Sequence, residues 1–261
     1  MEVEVQKEHG IWIVTINRPE VRNAINGPTV RMLYGVFTEF DADQDARVSI
    51  LCGAGGTFCS GADLKAFVSG DPEQVNPLNE DLSDVAPLGP TRLTLSKPVI
   101  AAISGYAVGG GLELALWCDL RIAEEDSVFG FFERRFGVPL IDGGTYRLPK
   151  IVGLGRALEI ILEGREIHAE EAQVIGLVNR VVPKGKALEE ARKIAFKISS
   201  FPRVCLEGDR RSVYAGMDLD LRSALELEFK NGMETLSSGE AFNGAIKFAE
   251  GKGRHGVQAA D

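Results

Sequence analysis

A chain of 261 residues with 44% hydrophobic residues is large enough for one sizeable α/β core, with or without an appended region. Its net charge of −9 argues against general nucleic-acid binding, which requires a basic face. No apolar run reaches the roughly 18 residues of a membrane-spanning helix, so we expect no membrane span.

The four cysteines indicate a reducing compartment. They form no CxxC pair, and two of them lie in strand-like or helical core positions, so we expect buried free thiols. Met1 leads directly into an alternating strand rather than into a signal peptide. We therefore expect a cytoplasmic protein, or a mitochondrial matrix protein if a transit peptide has been removed.

The first part of the chain alternates between strand and helix patterns, punctuated by glycine and proline. The predicted elements, in order, are a β-hairpin at 3–17 that turns at His9-Gly10, a polar loop at 21–26, a helix at 28–40, a buried strand at 48–52, and a glycine-rich loop that enters a helix at Leu64. A polar segment rich in proline, asparagine and aspartate then occupies 71–90. Loops of this length usually cover a functional site, so we predict a lid; the alternative is plain surface.

The central stretch, 98–119, contains the clearest functional signal. Its strand Pro98–Ile103 is apolar on both faces, and the glycines Gly109–Gly111 precede a buried helix that contains one acid, Glu113. Glycines allow the backbone to approach a ligand closely. A helix N-terminus carries unpaired N–H groups and a partial positive charge. The stretch therefore predicts a pocket for a phosphate, a carboxylate or a developing oxyanion, without choosing among them.

The remainder of the chain changes from strands to helices. Its predicted elements are strands at 120–123 and 127–129, an irregular segment at 131–145, helices at 146–151, 156–162 and 169–175, a strand at 178–182, and helices at 187–200, 202–216, 218–236 and 238–250. This order predicts an α/β fold with a C-terminal helical region. We expect a core domain at 1–198 and the helical region at 199–261.

Three other motifs fail their context tests. The GxGxxG match that begins at Gly251 has no preceding strand, so it does not predict a dinucleotide site. His9, His168 and His255 are far apart in the sequence, so we expect no metal site. Ser60 lies in no GxSxG motif and has no obvious histidine partner, which disfavours a serine nucleophile.

Two glycine-rich loops that lead into helices remain, at Ser60–Leu64 and at Gly109–Leu112. Each offers backbone N–H groups, and two N–H groups that converge on one oxygen form an oxyanion hole.

Three acids accompany these loops. Glu113 interrupts an apolar helix, where a buried carboxylate is costly unless it is catalytic or paired. The alternative is that its negative charge complements the positive N-terminus of the helix. Glu133 is either a second catalytic acid or a surface partner of Arg134 or Arg135. Asp142 is explained most simply as a cap of the helix that begins near Thr145.

At these residues the sequence resembles the enoyl-CoA hydratase/isomerase, or crotonase, superfamily. The similar segments are FCSGADLK (58–65), GYAVGGGLELALWCDLRIA (105–123), VPLIDGGTYRLPKIVG (138–153) and NRPEVRNAIN (17–26). The resemblance covers nearly the whole chain. It implies a crotonase-like spiral of ββα turns with a C-terminal α-helical trimerisation region, and a homotrimer or a hexamer of paired trimers. It also implies an acyl-CoA thioester as substrate, so that CoA arrives with the substrate and no separate cofactor is expected.

The resemblance also implies site residues. The oxyanion-hole amides fall on Ala62 and Gly110, and the two glutamates of family hydratases fall on Glu113 and Glu133. The residues implied to contact CoA are Val21, Arg22, Ala24, Ser60, Gly61, Ala62, Asp63, Leu64, Lys65, Gly109, Gly110 and Phe248.

Three positions depart from the family pattern. Glu20 stands where hydratases often have a lysine that meets the CoA phosphates, and Arg22 is the nearby substitute. Gly251 stands where a lysine is common, with Lys252 next to it. Asp142 replaces a small residue and is similar, with a shift of one position, to an aspartate of dienoyl-CoA isomerases.

The resemblance favours an enoyl-CoA hydratase. In that interpretation Glu113 activates a water for addition to Cβ, and Glu133 protonates Cα. The alternatives are an enoyl- or dienoyl-CoA isomerase that uses Glu133 and Asp142, and a non-catalytic member, which the presence of both glutamates disfavours. The acyl chain length and the choice between trimer and hexamer stay open.

Overall fold

The computed structural model describes residues 1–252. This part of the chain forms two compact units, Met1–Ser199 and a second that begins at Ser200. The strands are β1 Val3–Glu8, β2 Ile11–Ile16, β3 Val48–Gly53, β4 Val99–Ile103, β5 Tyr106–Val108, β6 Leu120–Glu124, β7 Val128–Gly130, β8 Ile167–His168 and β9 Arg180–Val182. The helices are α1 Gly27–Ala42, α2 Leu64–Ser69, α3 Gly110–Trp117, α4 Gly144–Val152, α5 Leu154–Glu163, α6 Ala169–Val174, α7 Ala187–Ser199, α8 Arg203–Gly216, α9 Leu221–Ser237 and α10 Glu240–Ala249. Short 3-10 helices occupy Pro19–Val21, Ala54–Gly56, Pro90–Arg92 and Phe132–Phe136.

The first unit contains two sheets. The larger has the strand order β1-β2-β3-β4-β6-β9, with β1 antiparallel to β2 and every other neighbouring pair parallel. The smaller has the order β5-β7-β8, with β5 and β7 parallel. The orders β4-β5-α3 and β6-β7-α4 follow one pattern: a strand of the larger sheet, a strand of the smaller sheet, and then a helix. This repeat brings the start of α3 to the end of a strand from the smaller sheet.

The larger sheet is buried on both faces. Along β2, Ile11 and Ile13 pack in a cluster with the alanines of α7, whereas Trp12, Val14 and Ile16 pack in the main core with α1 and α3. Side chains of a strand alternate between the two faces, so a run of six apolar or small residues is what two covered faces require.

A buried lysine fastens α1 to the strand that leads to the site. Lys97 is fully buried, and its Nζ donates hydrogen bonds to the carbonyl oxygens of Phe40, Asp41 and Asp43. These carbonyls lie at the C-terminal end of α1, where a positive charge is favourable. The residue directly precedes Pro98 and β4, so it anchors both elements.

The second unit contains α8, α9 and α10. One face of α9 exposes apolar side chains at helical spacing, namely Leu221, Leu225, Phe229, Met233 and Leu236. The trimer or hexamer remains a prediction.

The hairpin, the α1 helix and the helical C-terminal region are as predicted. The sequence did not indicate β5 or β8, because runs of three and two residues are too short to show an alternation. The last strand begins at Arg180 rather than at 178, and the segment predicted to be irregular contains the 3-10 helix Phe132–Phe136. The segment 71–90 is irregular apart from turns, as expected, and its role as a lid is still a prediction.

Candidate active site

Two glycine-rich loops meet at the start of α3. The N–H of Val108 donates to the carbonyl of Cys59 at 3.1 Å, and a Cβ atom on Gly61 would lie 2.9 Å from the nitrogen of Gly110. Gly61 has φ 95°, a value that glycine adopts readily and other residues rarely do. Within residues 1–252, neither the N–H of Ala62 nor that of Gly110 donates a hydrogen bond. Two available backbone donors on adjoining loops can form an oxyanion hole.

Glu113 lies in the first turn of α3 and is only 3% exposed. Its Oε1 accepts hydrogen bonds from the N–H groups of Asp142 at 3.0 Å and Gly144 at 2.8 Å. Its partners therefore belong to the segment that opens α4 and not to its own helix. Burial raises the pKa of Glu113 to about 8, and the negative charges of Asp142 and Glu133 also raise it, although the two N–H donors oppose them.

Glu133 lies in the 3-10 helix Phe132–Phe136. Both of its carboxylate oxygens are buried and have no hydrogen-bond partner in the described part of the chain. A Cβ atom on Gly109 would lie 3.1 Å from Oε2 of Glu133, so this carboxyl faces the glycine that precedes α3. Burial raises the pKa of Glu133 to about 7, and the charge of Arg134 only partly opposes this.

The expected alternative for Glu133, a surface ion pair with a neighbouring arginine, is wrong. Arg134 donates through Nε to the carbonyl of Ile161, and Arg135 donates through Nη2 to the carbonyl of Gly164. Both guanidinium groups are directed to the α5 end of the fold, which leaves the Glu133 carboxyl to the site.

The charge of Glu133 is the smallest of the causes that raise the pKa of Glu113, after burial and the charge of Asp142. With pKa values of about 8 and about 7, the pair holds one proton slightly above neutral pH. One proton shared by two carboxyl groups provides one acid and one base at the same place.

Asp142 does not cap α4, so the simplest sequence interpretation is wrong. The helix begins at Gly144 behind Gly143, and no side chain caps it. The Asp142 carboxylate instead accepts hydrogen bonds through Oδ1 from the N–H of Leu88 at 3.0 Å and from the hydroxyl of Thr91. Burial raises the pKa of Asp142 as well.

The predicted CoA loop, 21–26, lies directly against the loop 60–65. The N–H of Ser60 donates to the carbonyl of Arg22 at 3.1 Å, and the N–H of Ile25 donates to the carbonyl of Gly61 at 2.8 Å. Asp63 completes the contact, since its N–H donates to the carbonyl of Ile25 at 2.9 Å. The structure therefore brings most of the predicted CoA residues together: Val21, Arg22, Ala24, Ser60, Gly61, Ala62, Asp63, Leu64 and Lys65.

Gly109 lies at the start of α3, close to both the 60–65 loop and the Glu133 carboxyl. Phe248 lies on α10 in the second unit, where it is 60% exposed. His255, like the rest of the motif that begins at Gly251 beyond Lys252, lies outside the described residues.

Sequence reasoning missed two residues that hold these loops. Asn23 is fully buried with φ 56°; its Oδ1 accepts the N–H of Arg18, and its Nδ2 donates to the carbonyl of Ala54 at 2.8 Å. Arg18 donates through Nη2 to Asp63 Oδ2 at 3.1 Å, and Asp63 in turn caps α2. The arginine and asparagine residues of the polar NRPEVRNAIN segment were the available signal, but the partners Ala54 and Asp63 lie 31 and 45 positions away and no local pattern identifies them.

Among residues 1–252, no three His, Cys, Asp or Glu side chains are arranged to hold a metal ion. Over the same residues, no helix has both the length and the apolar character that crossing a bilayer requires. Three cysteines are buried free thiols, as predicted, whereas Cys205 is only half-buried.

The sequence model of one family, enoyl-CoA hydratase/isomerase, matches residues 6–255. The chain belongs to this family. It is 36% identical over 253 residues to a short-chain-enoyl-CoA hydratase of Clostridium acetobutylicum, with 95% of this chain and 94% of the relative covered. It is 33% identical over 253 residues to the enoyl-CoA hydratase EchA19 of Mycobacterium tuberculosis, with 94% and 92% covered. The crystal structure of enoyl-CoA hydratase EchA1 from Mycobacterium marinum superposes with a TM-score of 0.88 at 37% identity, covering 95% of this chain and 96% of that one.

The predicted fold is thereby confirmed: the structural relatives of this enoyl-CoA hydratase/isomerase family member have the crotonase fold with its C-terminal helical region. The family name covers two reactions, water addition and double-bond migration. The named relatives of this chain are enzymes that act on enoyl-CoA thioesters. Family membership by itself does not choose between the two reactions.

Proposed function

We propose that this protein is an enoyl-CoA hydratase that adds water across the 2,3 double bond of an enoyl-CoA thioester. The observation that carries the proposal is the pair of buried carboxyl groups, Glu113 and Glu133, with pKa values of about 8 and about 7, beside two available backbone N–H groups. The family and the names of relatives such as the short-chain-enoyl-CoA hydratase support it.

The oxyanion hole polarises the substrate. In this proposal the N–H groups of Ala62 and Gly110 donate to the thioester oxygen, and they bind it more strongly as negative charge develops on it. The double bond is conjugated with that carbonyl, so withdrawal of electrons makes Cβ electrophilic and Cα nucleophilic. Loss of one such donor typically lowers kcat by roughly 10²- to 10³-fold.

The glutamate pair supplies the proton balance. Ionised Glu113 takes one proton from a water whose oxygen bonds to Cβ, and protonated Glu133 gives its proton to Cα. One C=C π bond and one O–H bond break, and one C–O bond and one C–H bond form. The pair ends with Glu113 protonated and Glu133 ionised, so its proton must return to Glu133 before the next turnover. With pKa values of about 8 and about 7 the single proton favours Glu113 by roughly 10-fold, so the reactive form, with ionised Glu113 and protonated Glu133, is the minor one-proton form that exchange within the pair must supply.

The position of Asp142 favours hydration over isomerisation. Moving a double bond with Glu133 and Asp142 requires an Asp142 carboxyl that is free to take and release a proton at the acyl chain. In this structure Oδ1 of Asp142 already accepts two hydrogen bonds, from Leu88 and Thr91. These donors hold that oxygen in place, and hydration needs no third acid.

The CoA part of the substrate is proposed to lie along the paired loops 21–26 and 60–65. Arg22 and Lys65 are the cations there, and they take the place of the lysine absent at position 20. The oligomer is proposed to be a trimer or a pair of trimers built by the helical unit.

The test uses purified protein with crotonyl-CoA. Hydration removes the conjugated thioester absorbance and increases the product mass by one water, with the oxygen drawn from ¹⁸O-labelled solvent. We expect both signals in the wild type and a loss of at least about 100-fold in Glu113→Gln and Glu133→Gln, but not in the exposed control Glu166→Gln.

Conversion of an enoyl-CoA without ¹⁸O uptake would replace the proposal with an isomerase. Binding of CoA without any turnover of C4 to C16 enoyl thioesters would reject hydration of straight-chain substrates.

A further inference from the structure

Asp142 is a buried acid that takes part in no step of the proposed hydration. It is 5% exposed. Its carboxylate accepts hydrogen bonds from the N–H of Leu88 at 3.0 Å and from the hydroxyl of Thr91 at 2.5 Å. Its own backbone N–H donates to Oε1 of Glu113 at 3.0 Å. One residue thus holds Glu113 with its main chain and the 88–91 segment with its side chain.

The 88–91 segment extends to the other half of the site. A Cβ atom on Gly110 would lie 2.5 Å from Cδ1 of Leu88, so the Leu88 side chain packs directly on the Cα of Gly110. Arg147 reinforces the connection, because Nη1 donates to the carbonyl of Asp142 at 2.8 Å and Nη2 donates to the carbonyl of Thr91 at 2.6 Å. A continuous set of contacts therefore connects Glu113 to the residue that offers an oxyanion-hole donor.

We propose that Asp142 is a positioning residue, which fixes Glu113 and the Leu88–Thr91 segment in one arrangement so that the acid and the Gly110 amide act on the same substrate. The proposal rests on the proposed function of Glu113. In the proposed hydration Asp142 contacts none of the reacting atoms and transfers no proton.

Charge is the second way in which Asp142 acts on Glu113. Other charges also shift the pKa values of these two acids. The charge of Glu133 shifts the pKa of Glu113, and the charges of Arg92 and Arg147 shift the pKa of Asp142. Burial raises the pKa of Asp142, whereas its hydrogen-bond donors and the two arginines favour the ionised form. After burial, the negative charge of Asp142 is the next largest cause that raises the pKa of Glu113.

Two substitutions separate charge from geometry. Asp142→Asn keeps an oxygen for the Leu88 and Thr91 donors but removes the charge. We expect kcat at the optimum to stay within about 3-fold of wild type, and the basic limb of the kcat/KM profile, which follows the higher pKa of Glu113, to move to lower pH by roughly half a unit to one unit. Asp142→Ala removes the acceptor and releases the 88–91 segment. We expect kcat to fall by about 10- to 100-fold with a much smaller change in KM, because the misplaced groups act on the transition state. The matched control is Asp45→Asn, at an exposed position before β3.

A second measurement requires no turnover. The pH dependence of urea unfolding is compared in the wild type, Glu113→Gln, Asp142→Asn and the double variant. We expect Asp142→Asn to flatten the pH dependence when Glu113 is present and to change it much less when residue 113 is Gln.

The outcomes are distinct. If the wild type turns over no enoyl-CoA but the pH coupling is present, the positioning role stands and the proposed function fails. If Asp142→Asn leaves both the basic limb and the pH dependence of unfolding unchanged, the role is refuted. If Asp142→Asn loses as much kcat as Asp142→Ala without a shift of the limb, Asp142 carries a proton itself and the proposal is also refuted.

Discussion

The substitution Glu113→Gln should make the folded protein more stable while it removes activity. The pKa of Glu113 is about 8 in the folded protein against an ordinary value of 4.5, so its ionisation opposes folding. For a carboxyl whose pKa is raised by folding, the penalty is absent below the unfolded pKa. It grows as the pH rises from about 4.5 and is complete above about 8. Stability should therefore fall with rising pH across this window.

The magnitude follows from the same two values. Each pH unit between them costs about 1.4 kcal/mol, so ionisation of Glu113 costs roughly 3 kcal/mol at pH 7. From about pH 6 to about pH 8 the penalty grows by roughly 2 kcal/mol. Glutamine keeps an oxygen for the N–H donors of Asp142 and Gly144, but its amide N–H groups need acceptors in a buried site. We therefore expect a net gain of about 1 to 3 kcal/mol at pH 7.

The assay is urea unfolding at one fixed protein concentration, because any oligomer makes apparent stability depend on concentration. Wild type, Glu113→Gln and the exposed control Glu80→Gln are measured between about pH 6 and pH 8.5, away from the sequence pI of about 5.1. The advantage of Glu113→Gln should widen with pH, and the control should follow the wild type. A variant that is less stable than wild type at pH 7, or an advantage that does not change with pH, would refute the reasoning.

Four further predictions concern the site and its supports. The kcat/KM of the wild type should be bell-shaped with an optimum near pH 7.5, because the pair needs one proton between pKa values of about 7 and about 8; a profile flat from about pH 6 to 9 would contradict it. Gly144→Ala should lower kcat at least about 10-fold, since its Cβ would lie 3.0 Å from Oε1 and Cγ of Glu113; wild-type steady-state kinetics would show that the carboxyl can move. Asn23→Ala should cost about 2 to 4 kcal/mol in urea unfolding, because buried backbone partners lose their hydrogen bonds and alanine tolerates φ 56° poorly; a loss under about 0.5 kcal/mol would count against this. Lys97→Met should also cost about 2 to 4 kcal/mol, because three carbonyls at the end of α1 lose their donor, and an unchanged thermal midpoint would argue against that anchoring role.

Local patterns were sufficient for much of the first unit. The alternation of Ile11, Ile13 and Thr15 predicts β2, although the structure buries Trp12 and Val14 on the other face as well. The helical spacing from Pro28 to Phe40 predicts α1, because one face of that helix is buried. The glycines at 109–111 also indicate the start of α3 correctly. These features depend on residues within a few positions of one another.

The supports of the site were not predictable in the same way. Asp142 was explained as a helix cap because its own neighbours suggest one, but its side-chain partners Leu88 and Thr91 are more than 50 positions away. The burial of Glu133 likewise depends on how its 3-10 helix packs, and two adjacent arginines made a surface position the natural expectation. Such contacts arise from the meeting of distant segments, which no short window contains.

The position of α7 in the chain has a consequence for synthesis. This helix covers one face of the larger sheet, yet it is the last element of the first unit to leave the ribosome. Until residue 199 has emerged, a face that includes Ile13, Ile50, Ile100 and Ile122 has nothing to cover it. A nascent or truncated chain that ends before α7 therefore displays a broad apolar sheet surface to water, and such surfaces are prone to aggregate. Production of the first unit by itself should accordingly require an end point beyond Ser199, and not one at the close of β9.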